Sequence, residues 1–237
     1  EGLGKGGGRA GGEEEGVEMA RREVGDVCGV KGDDRVNVSV EGKRDEKKPT
    51  IMFDAHLDEV GAIVQAVKPN GTIRFLPIGG WQKISFPSSS FLIRSKDGKK
   101  HQAVVAVKPP HFASNAEKNA MPDIKDMVLD CGTSSKEETE QLGIGIASPC
   151  VPDIQCRFNE ESGLFYGKAF DCRIGVAAEI ETLRQLHDMD LNCNITGSFS
   201  AQEEVGERGV LANAQKLRPD IMICFEGCPA DDTFEED

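Results

Sequence analysis

The amino-acid sequence predicts an α/β domain with an all-β segment inserted into it, on three observations. Both flanks of the chain combine helix-length amphipathic stretches with short apolar runs of strand length. The middle, up to about residue 160, reads mostly as short strands and turns, with one helix. In the flanks, three apolar strands each run into carboxylates or histidine: Ile51–Phe53 before Asp54, His56, Asp58 and Glu59, Ile195–Ala201 before Glu203 and Glu204, and Ile221–Phe225 before Glu226. Open α/β sheets bind ligands at the carboxyl ends of their strands, so three such ends imply one convergent site.

The elements follow in order. Residues 1–12 are Gly-rich and expected to be flexible. Glu13, Glu14 and Glu15 then precede Val17, Met19, Ala20 and Val24, and acidic residues in front with Arg21 and Arg22 behind suit a helix dipole. Arg35 to Val40 alternates as a strand, and polar Glu41 to Lys48 reads as a turn. Thr50 to Phe53 is a short buried strand. Another runs from Gly61 to Val67, and Pro69-Asn70-Gly71 signals a hairpin turn. Further strands are Thr72–Leu76, Ser90–Ser95 before the Asp97-Gly98 turn, and Gln102–Val107 before Pro109-Pro110. The helix in this region opens at Ser134 and Ser135, with Glu137 and Glu138 placed for a capping box, and closes at Gly143. The pattern changes back near residue 168. Arg173 to His187 reads as an amphipathic helix with Ile174, Ala178, Leu183 and Leu186 on or near one face. Asn194 to Ala201 is a strand, Gly209 to Leu217 a helix stopped by Pro219, and Ile221 to Phe225 a further buried strand. The chain thus divides into residues 1–66, an insert over 67–162, and residues 163–237.

Composition narrows the function. A net charge of −13 argues against nucleic acid as the main partner, because a phosphate backbone needs a basic face. No apolar run approaches the ~20 residues of a membrane span, and the Gly-rich, charged start is unlike a signal peptide. The eight cysteines form no CxxC pair, and several, such as Cys224 within Ile-Cys-Phe, sit in apolar runs as small hydrophobes. A reducing cytoplasm is the expected setting.

The polar strand ends suit metal chemistry. A histidine with several carboxylates is a donor set for Zn²⁺, Co²⁺ or Mn²⁺. Two ions about 3.5–4 Å apart polarise a carbonyl and acidify a water. They need a carboxylate to share and an unligated carboxylate to take the proton; Asp171, just before a helix, is a fourth contributor to the site. Along an extended backbone His56 and Asp58 share a face, so Asp58 is placed to orient the imidazole. Taken singly, His56-Leu57-Asp58 fits a satisfied histidine at a strand end better than a ligand, and Glu203-Glu204 fits a solvated acidic pair better still. Their joint position after apolar strands favours one site.

These residues carry a resemblance. Ala55-His56-Leu57-Asp58-Glu59-Val60-Gly61, Gly167-Lys168-Ala169-Phe170-Asp171-Cys172-Arg173 and Gln202-Glu203-Glu204-Val205-Gly206 resemble, in order, motifs of the M42 metallo-aminopeptidases. So do Gly79-Gly80-Trp81, Lys108-Pro109-Pro110-His111 and Gly132 to Glu137 in the insert. The resemblance implies a zinc-peptidase-like α/β catalytic domain with an inserted small β-barrel domain that serves oligomerisation. It implies two divalent ions, zinc or cobalt, with His56 and Glu204 on one, Glu226 on the other and Asp171 bridging. Glu203 would be the general base and Asp58 the partner of His56. The implied reaction removes the N-terminal residue of a peptide through a metal-activated water, in a homo-oligomer ranging from dimer to dodecamer.

Two departures stand out. Cys172 occupies the place of a second Asp; the ligand role lies with Asp171, and a reactive thiol or adventitious ligand is the alternative for Cys172. Family members also continue past Glu226 and supply a final histidine, whereas this chain ends at Asp237 and its four histidines are His56, His101, His111 and His187. The C-terminal part is therefore expected to be missing, the second metal site incomplete, and a sheet edge exposed. The rival readings are a catalytically impaired subunit of the same family and an endoglucanase-type glycan hydrolase working with two carboxylates.

Overall fold

The computed structural model describes residues 14–25, 29–32, 37–41 and 44–228. The Gly-rich stretch 1–12, Cys28 and the first residues of the strand expected from Arg35 lie outside them.

The first flank holds α1 (Glu14–Val24), β1 (Gly29–Gly32), β2 (Val38–Glu41) and β3 (Thr50–His56). Val17, Ala20 and Val24 are buried at helical spacing, so α1 lays one face on the sheet. The insert follows with β4 (Gly61–Val67), β5 (Ile73–Ile78), β6 (Ser90–Arg94), β7 (Lys100–Ala106), α2 (Asn115–Lys118), β8 (Val128–Asp130), α3 (Lys136–Gln141) and β9 (Pro149–Pro152). A hairpin, β10 (Arg157–Asn159) and β11 (Leu164–Tyr166), leads to the second flank: α4 (Phe170–Leu186), β12 (Asn194–Ser200), α5 (Arg208–Leu217) and β13 (Ile221–Cys224).

The insert closes on itself as a barrel in the order β4-β5-β8-β7-β6-β9. Closure leaves no unpaired strand edge, and the interior fills with Ile73, Phe75, Phe86, Phe91, Ile93 and Leu129 among others. Trp81 packs on Phe86 at 4.6 Å and donates its indole N–H to Gly61 O at 2.8 Å. The barrel strands begin at Gly61, so the boundary read at 66/67 falls inside β4. In α3 the cap is Ser135, whose hydroxyl accepts from Glu138 N, while the Glu138 carboxylate accepts from Ser134 N. Gly143, at φ +79°, follows its end as expected. The short helix α2 has no counterpart in the sequence reading, although Ser114 and Glu117 form a complete capping box.

The flanks share one five-stranded sheet, β1-β2-β12-β3-β13. β12 and β13 both run parallel to β3, with Ser200 opposite His56 and Cys224 opposite Asp54. The three strands flagged by their polar ends therefore finish side by side at one edge.

Two expectations need correction. Ile221, Met222 and Ile223 are exposed rather than buried, at 53%, 46% and 44%, and so is Cys224. Among the described residues β13 pairs with β3 alone, and an apolar run does not distinguish a central strand from an edge. The buried face of α4 is also different. Ile174 and Ala178 face solvent, while Arg173, Gly175, Val176, Glu179, Ile180 and Leu183 face the sheet. Two ionisable residues sit on this inner face, which misleads a reading by apolar spacing.

One of them sets a pH dependence. Glu179 is fully buried; its Oε1 accepts from Ser198 N at 2.9 Å and its Oε2 has no hydrogen-bond partner among the described residues. Burial, helped by nearby Asp54, pushes the carboxyl well above its ordinary value of 4.5. The folded chain thus holds a proton that the unfolded chain releases. Stability is greatest below the ordinary value and falls as pH rises towards the raised one. Glu179→Gln is expected to flatten this slope and to raise stability at pH 8 by about 1–3 kcal/mol, the scale of an unsatisfied buried group. Urea unfolding at pH 5 and pH 8 measures it; parallel pH profiles for the two proteins would exclude Glu179 as the source.

Candidate active site

His56 ends β3, 2% exposed, and its ring is gripped from both sides. Nδ1 lies 3.1 Å from Asp58 O and 3.4 Å from Asp58 Oδ1. Nε2 lies 2.9 Å from Asp171 Oδ1, 3.7 Å from Glu226 Oε1 and 3.8 Å from Glu203 Oε2. The carboxylates that approach this ring are thus those of Asp58, Asp171, Glu203 and Glu226. Glu204, the partner that the resemblance implied for His56, is not among them.

Asp58 is wholly buried and does more than face His56. Its two oxygens accept the backbone N–H groups of Glu203 at 3.0 Å and Glu204 at 3.1 Å. It therefore ties the loop after β3 to the turn after β12. That turn is closed by Glu203 O, which accepts from Gly206 N at 2.8 Å and Glu207 N at 2.9 Å. The barrel borders the same place: a Cβ on Gly79, at φ +89°, would stand 2.7 Å from Val60 Cγ1 and 3.2 Å from Glu204 Oε2.

Asp171 and Cys172 precede the regular part of α4, with non-helical backbone angles, so the helix proper starts at Arg173 as the sequence suggests. The Asp171 side chain is largely exposed and Cys172 is fully buried. The Cys172 thiol donates to Phe225 O at 2.8 Å. Glu226 follows directly, half exposed, its Oε1 accepting from Gly227 N at 2.7 Å.

The electrostatics report a surplus of negative charge. Burial alone would lower the His56 pKa, but Asp58, Asp171 and Glu226 outweigh it and carry it to about 9. Glu204 is pushed up to about 7, first by burial and then by Asp171, Asp58 and Glu203 against the pull of His56. Glu203 is raised by burial and by Glu226, Asp58 and Asp171, again against His56. Two buried cations nearby, Lys168 and Arg173, are engaged by Glu59, with Lys168 Nζ 2.5 Å and Arg173 Nη2 3.4 Å from its Oε1. Carboxylates that raise one another's pKa around a single imidazole fit a site built for multivalent cations.

A family model described as M42 glutamyl aminopeptidase matches residues 36–237. The chain belongs to the M42 family. It is 32% identical over 193 residues to a glutamyl aminopeptidase of Lactococcus lactis subsp. cremoris, covering 81% of this chain and 54% of that protein. Among solved structures, a TET aminopeptidase from the marine sediment archaeon Thaumarchaeota archaeon SCGC AB-539-E09 superposes with a TM-score of 0.94 at 29% identity, covering 98% of this chain and 66% of that one. The TET1 peptidase of Pyrococcus horikoshii, which assembles into a tetrahedron or an octahedral shell, gives 0.87 at 26% identity, over 99% of this chain and 69% of that one. The chain spans about half the length of the curated relatives it matches.

Within this M42 chain, the structure brings His56, Asp58, Asp171, Glu203, Glu204 and Glu226 to the ends of β3, β12 and β13 and the start of α4. The other histidines lie elsewhere: His101 in β7, His111 in a short turn beyond it, and His187 at the end of α4. The sequence gives Glu59 no role of its own. Its signal is the pair of cations Lys168 and Arg173 inside a second motif, which only the fold brings to it.

Proposed function

We propose that this chain carries the site of a metal-dependent aminopeptidase, which removes the N-terminal residue of peptides with two divalent ions, Zn²⁺ or Co²⁺. The observation that supports it most is the convergence of one imidazole and five carboxylates at parallel strand ends, with each buried carboxyl among them pushed towards neutrality or engaged by backbone N–H. His56, Asp171, Glu204 and Glu226 would hold the ions, Asp171 serving both. Distances favour grouping His56 with Glu226 and Asp171, and Glu204 with the other ion. When bound, the ions supply Lewis acidity for the scissile carbonyl and acidify the attacking water.

The chain's own groups do the rest. Asp58 fixes the His56 ring and the Glu203-Glu204 turn together. Glu203 Oε2 faces the centre and takes the water proton, then passes it to the departing amine. Burial and the neighbouring carboxylates raise its pKa, the direction that strengthens a carboxylate as a base. The free amino terminus of the peptide would meet the anionic surface beside Asp171 and Glu226. The barrel is read as the oligomerisation element, and the P. horikoshii relative can assemble into a tetrahedron or an octahedral shell. Cys156 and Cys172 are buried free thiols, which supports a reducing, cytoplasmic setting. Among the described residues no helix is long and apolar enough to cross a membrane.

The test is hydrolysis of a panel of aminoacyl-p-nitroanilides by chelator-treated protein with and without Co²⁺. Release that appears only with metal is the expected result. Activity that ignores the chelator would favour a metal-free hydrolase instead. Glu203→Gln is expected to lower kcat by about 10²–10⁴-fold with bound metal unchanged by elemental analysis. A loss of metal in step with the loss of rate would make Glu203 a ligand rather than the base.

A further inference from the structure

We propose that Cys172 is a sulfur ligand of the ion that His56 and Glu226 hold. The inference rests on the metal-dependent reading above and concerns this chain's own donor set. One donor atom each from His56, Cys172 and Glu226 lie within 4.8 Å of one another, and among the described residues this is the one such group of three. Ligands of a single tetrahedral zinc, at about 2.3 Å for sulfur and about 2.0 Å for nitrogen, stand about 3.5 Å apart. The group spans up to 4.8 Å, so binding would draw its donors closer together.

The thiol is also held in place. It is fully buried and donates to Phe225 O, the carbonyl just before Glu226. α4 comes so close to both atoms that a Cβ on Gly175 would stand 2.5 Å from Sγ and 2.4 Å from Phe225 O. Sγ is thus fixed where α4 meets the end of β13, beside Glu226. In the metal-free chain the thiol keeps the proton that it donates to Phe225 O. Binding exchanges that proton for the ion: Cys–SH and M²⁺ give a Cys–S–M bond, and the proton leaves to solvent. Thiolate is a soft donor, so the site would favour zinc over manganese or magnesium more strongly than an all-nitrogen-and-oxygen site does.

The experiment is zinc-edge X-ray absorption on the full chain, stripped and reloaded with one equivalent of Zn²⁺, in parallel with cobalt absorption spectra. The expected result is a sulfur scatterer at about 2.3 Å and a near-ultraviolet thiolate-to-cobalt band. Both should be absent in Cys172→Ser, which keeps its nitrogen and oxygen scatterers and its visible cobalt bands. Where the serine variant does not fold, Cys172→Asp takes its place. Visible cobalt bands in the unaltered chain without sulfur, or a sulfur signal that survives replacement of Cys172, overturn the proposal and leave the metal site standing. If the unaltered chain takes up neither zinc nor cobalt, the metal-dependent reading itself fails and this inference with it.

Discussion

Asp171→Asn is expected to leave the fold intact and to cut metal affinity, and metal-dependent peptidase activity with it, by about 100-fold or more. The side chain is 69% exposed and the replacement is nearly isosteric, so stability should change by no more than about 0.5 kcal/mol. The effect on the site is far larger. Asp171 Oδ1 stands 2.9 Å from His56 Nε2 and is among the groups that raise Glu203 and Glu204, so it lies between the two halves of the donor set. Replacing a partner that only orients a ligand costs about 10–100-fold. A carboxylate shared by both ions should cost at least the upper end of that range. Calorimetric zinc titration and elemental analysis measure it directly, and thermal unfolding checks the fold. An Asp171→Asn protein that binds metal and turns over substrate as the unaltered chain does would remove Asp171 from the ligand set.

The position of the site is legible in the sequence because three apolar strands each run straight into acidic or imidazole side chains. One such strand end can be solvated surface; three in one domain point to a shared site. What the sequence does not supply is the order of the strands. Nothing in Ile51–Phe53, Ile195–Ala201 or Ile221–Phe225 says that they lie side by side and parallel, with Ser200 opposite His56. That juxtaposition comes from the crossover helices α4 and α5, whose docking depends on which faces they bury. The buried face of α4 escapes apolar spacing for a physical reason. Arg173 and Glu179 are ionisable residues that point inward, where partners satisfy them at least in part, while Ile174 points out at 59% exposure.

The barrel shows the same limit. Its strands are partly visible as alternating segments, but closure depends on pairings between strands far apart in sequence, such as Leu92 of β6 with Val151 of β9. Short strands β8 to β11 are lost among turns because three or four residues carry too little periodicity. Cys172 illustrates the opposite case. Its identity is plain in the sequence, but its nearness to His56 and Glu226 exists only in the folded chain.

The largest expected effect on stability belongs to Glu59→Gln, with a loss of about 3–5 kcal/mol, the cost of stranding buried charge. Glu59 is 3% exposed and receives Lys168 Nζ on both oxygens, at 2.5 and 2.7 Å, with Arg173 Nη2 at 3.4 Å; the side chains of Lys168 and Arg173 are 8% and 2% exposed. The two cations respond differently to its removal. Burial already lowers the Lys168 pKa, opposed chiefly by Glu59, so Lys168 can shed its proton. Arg173 cannot, because a guanidinium stays charged. The double variant Glu59→Gln/Lys168→Met should therefore recover only part of the loss. As a whole the cluster need contribute little net stability, since desolvation offsets attraction. Its geometric effect is clearer: it joins the loop that carries Asp58 to the segment that carries Asp171, and Arg173 Nε adds a bond to Leu57 O at 3.1 Å. Glu59→Gln should accordingly weaken zinc binding even under conditions where it remains folded. Urea unfolding and zinc titration on the same preparation separate the two effects. A variant that unfolds within about 1 kcal/mol of the unaltered chain would mean that water or other groups satisfy these cations; normal zinc affinity in a destabilised variant would mean that the two loops keep their spacing without the ion cluster.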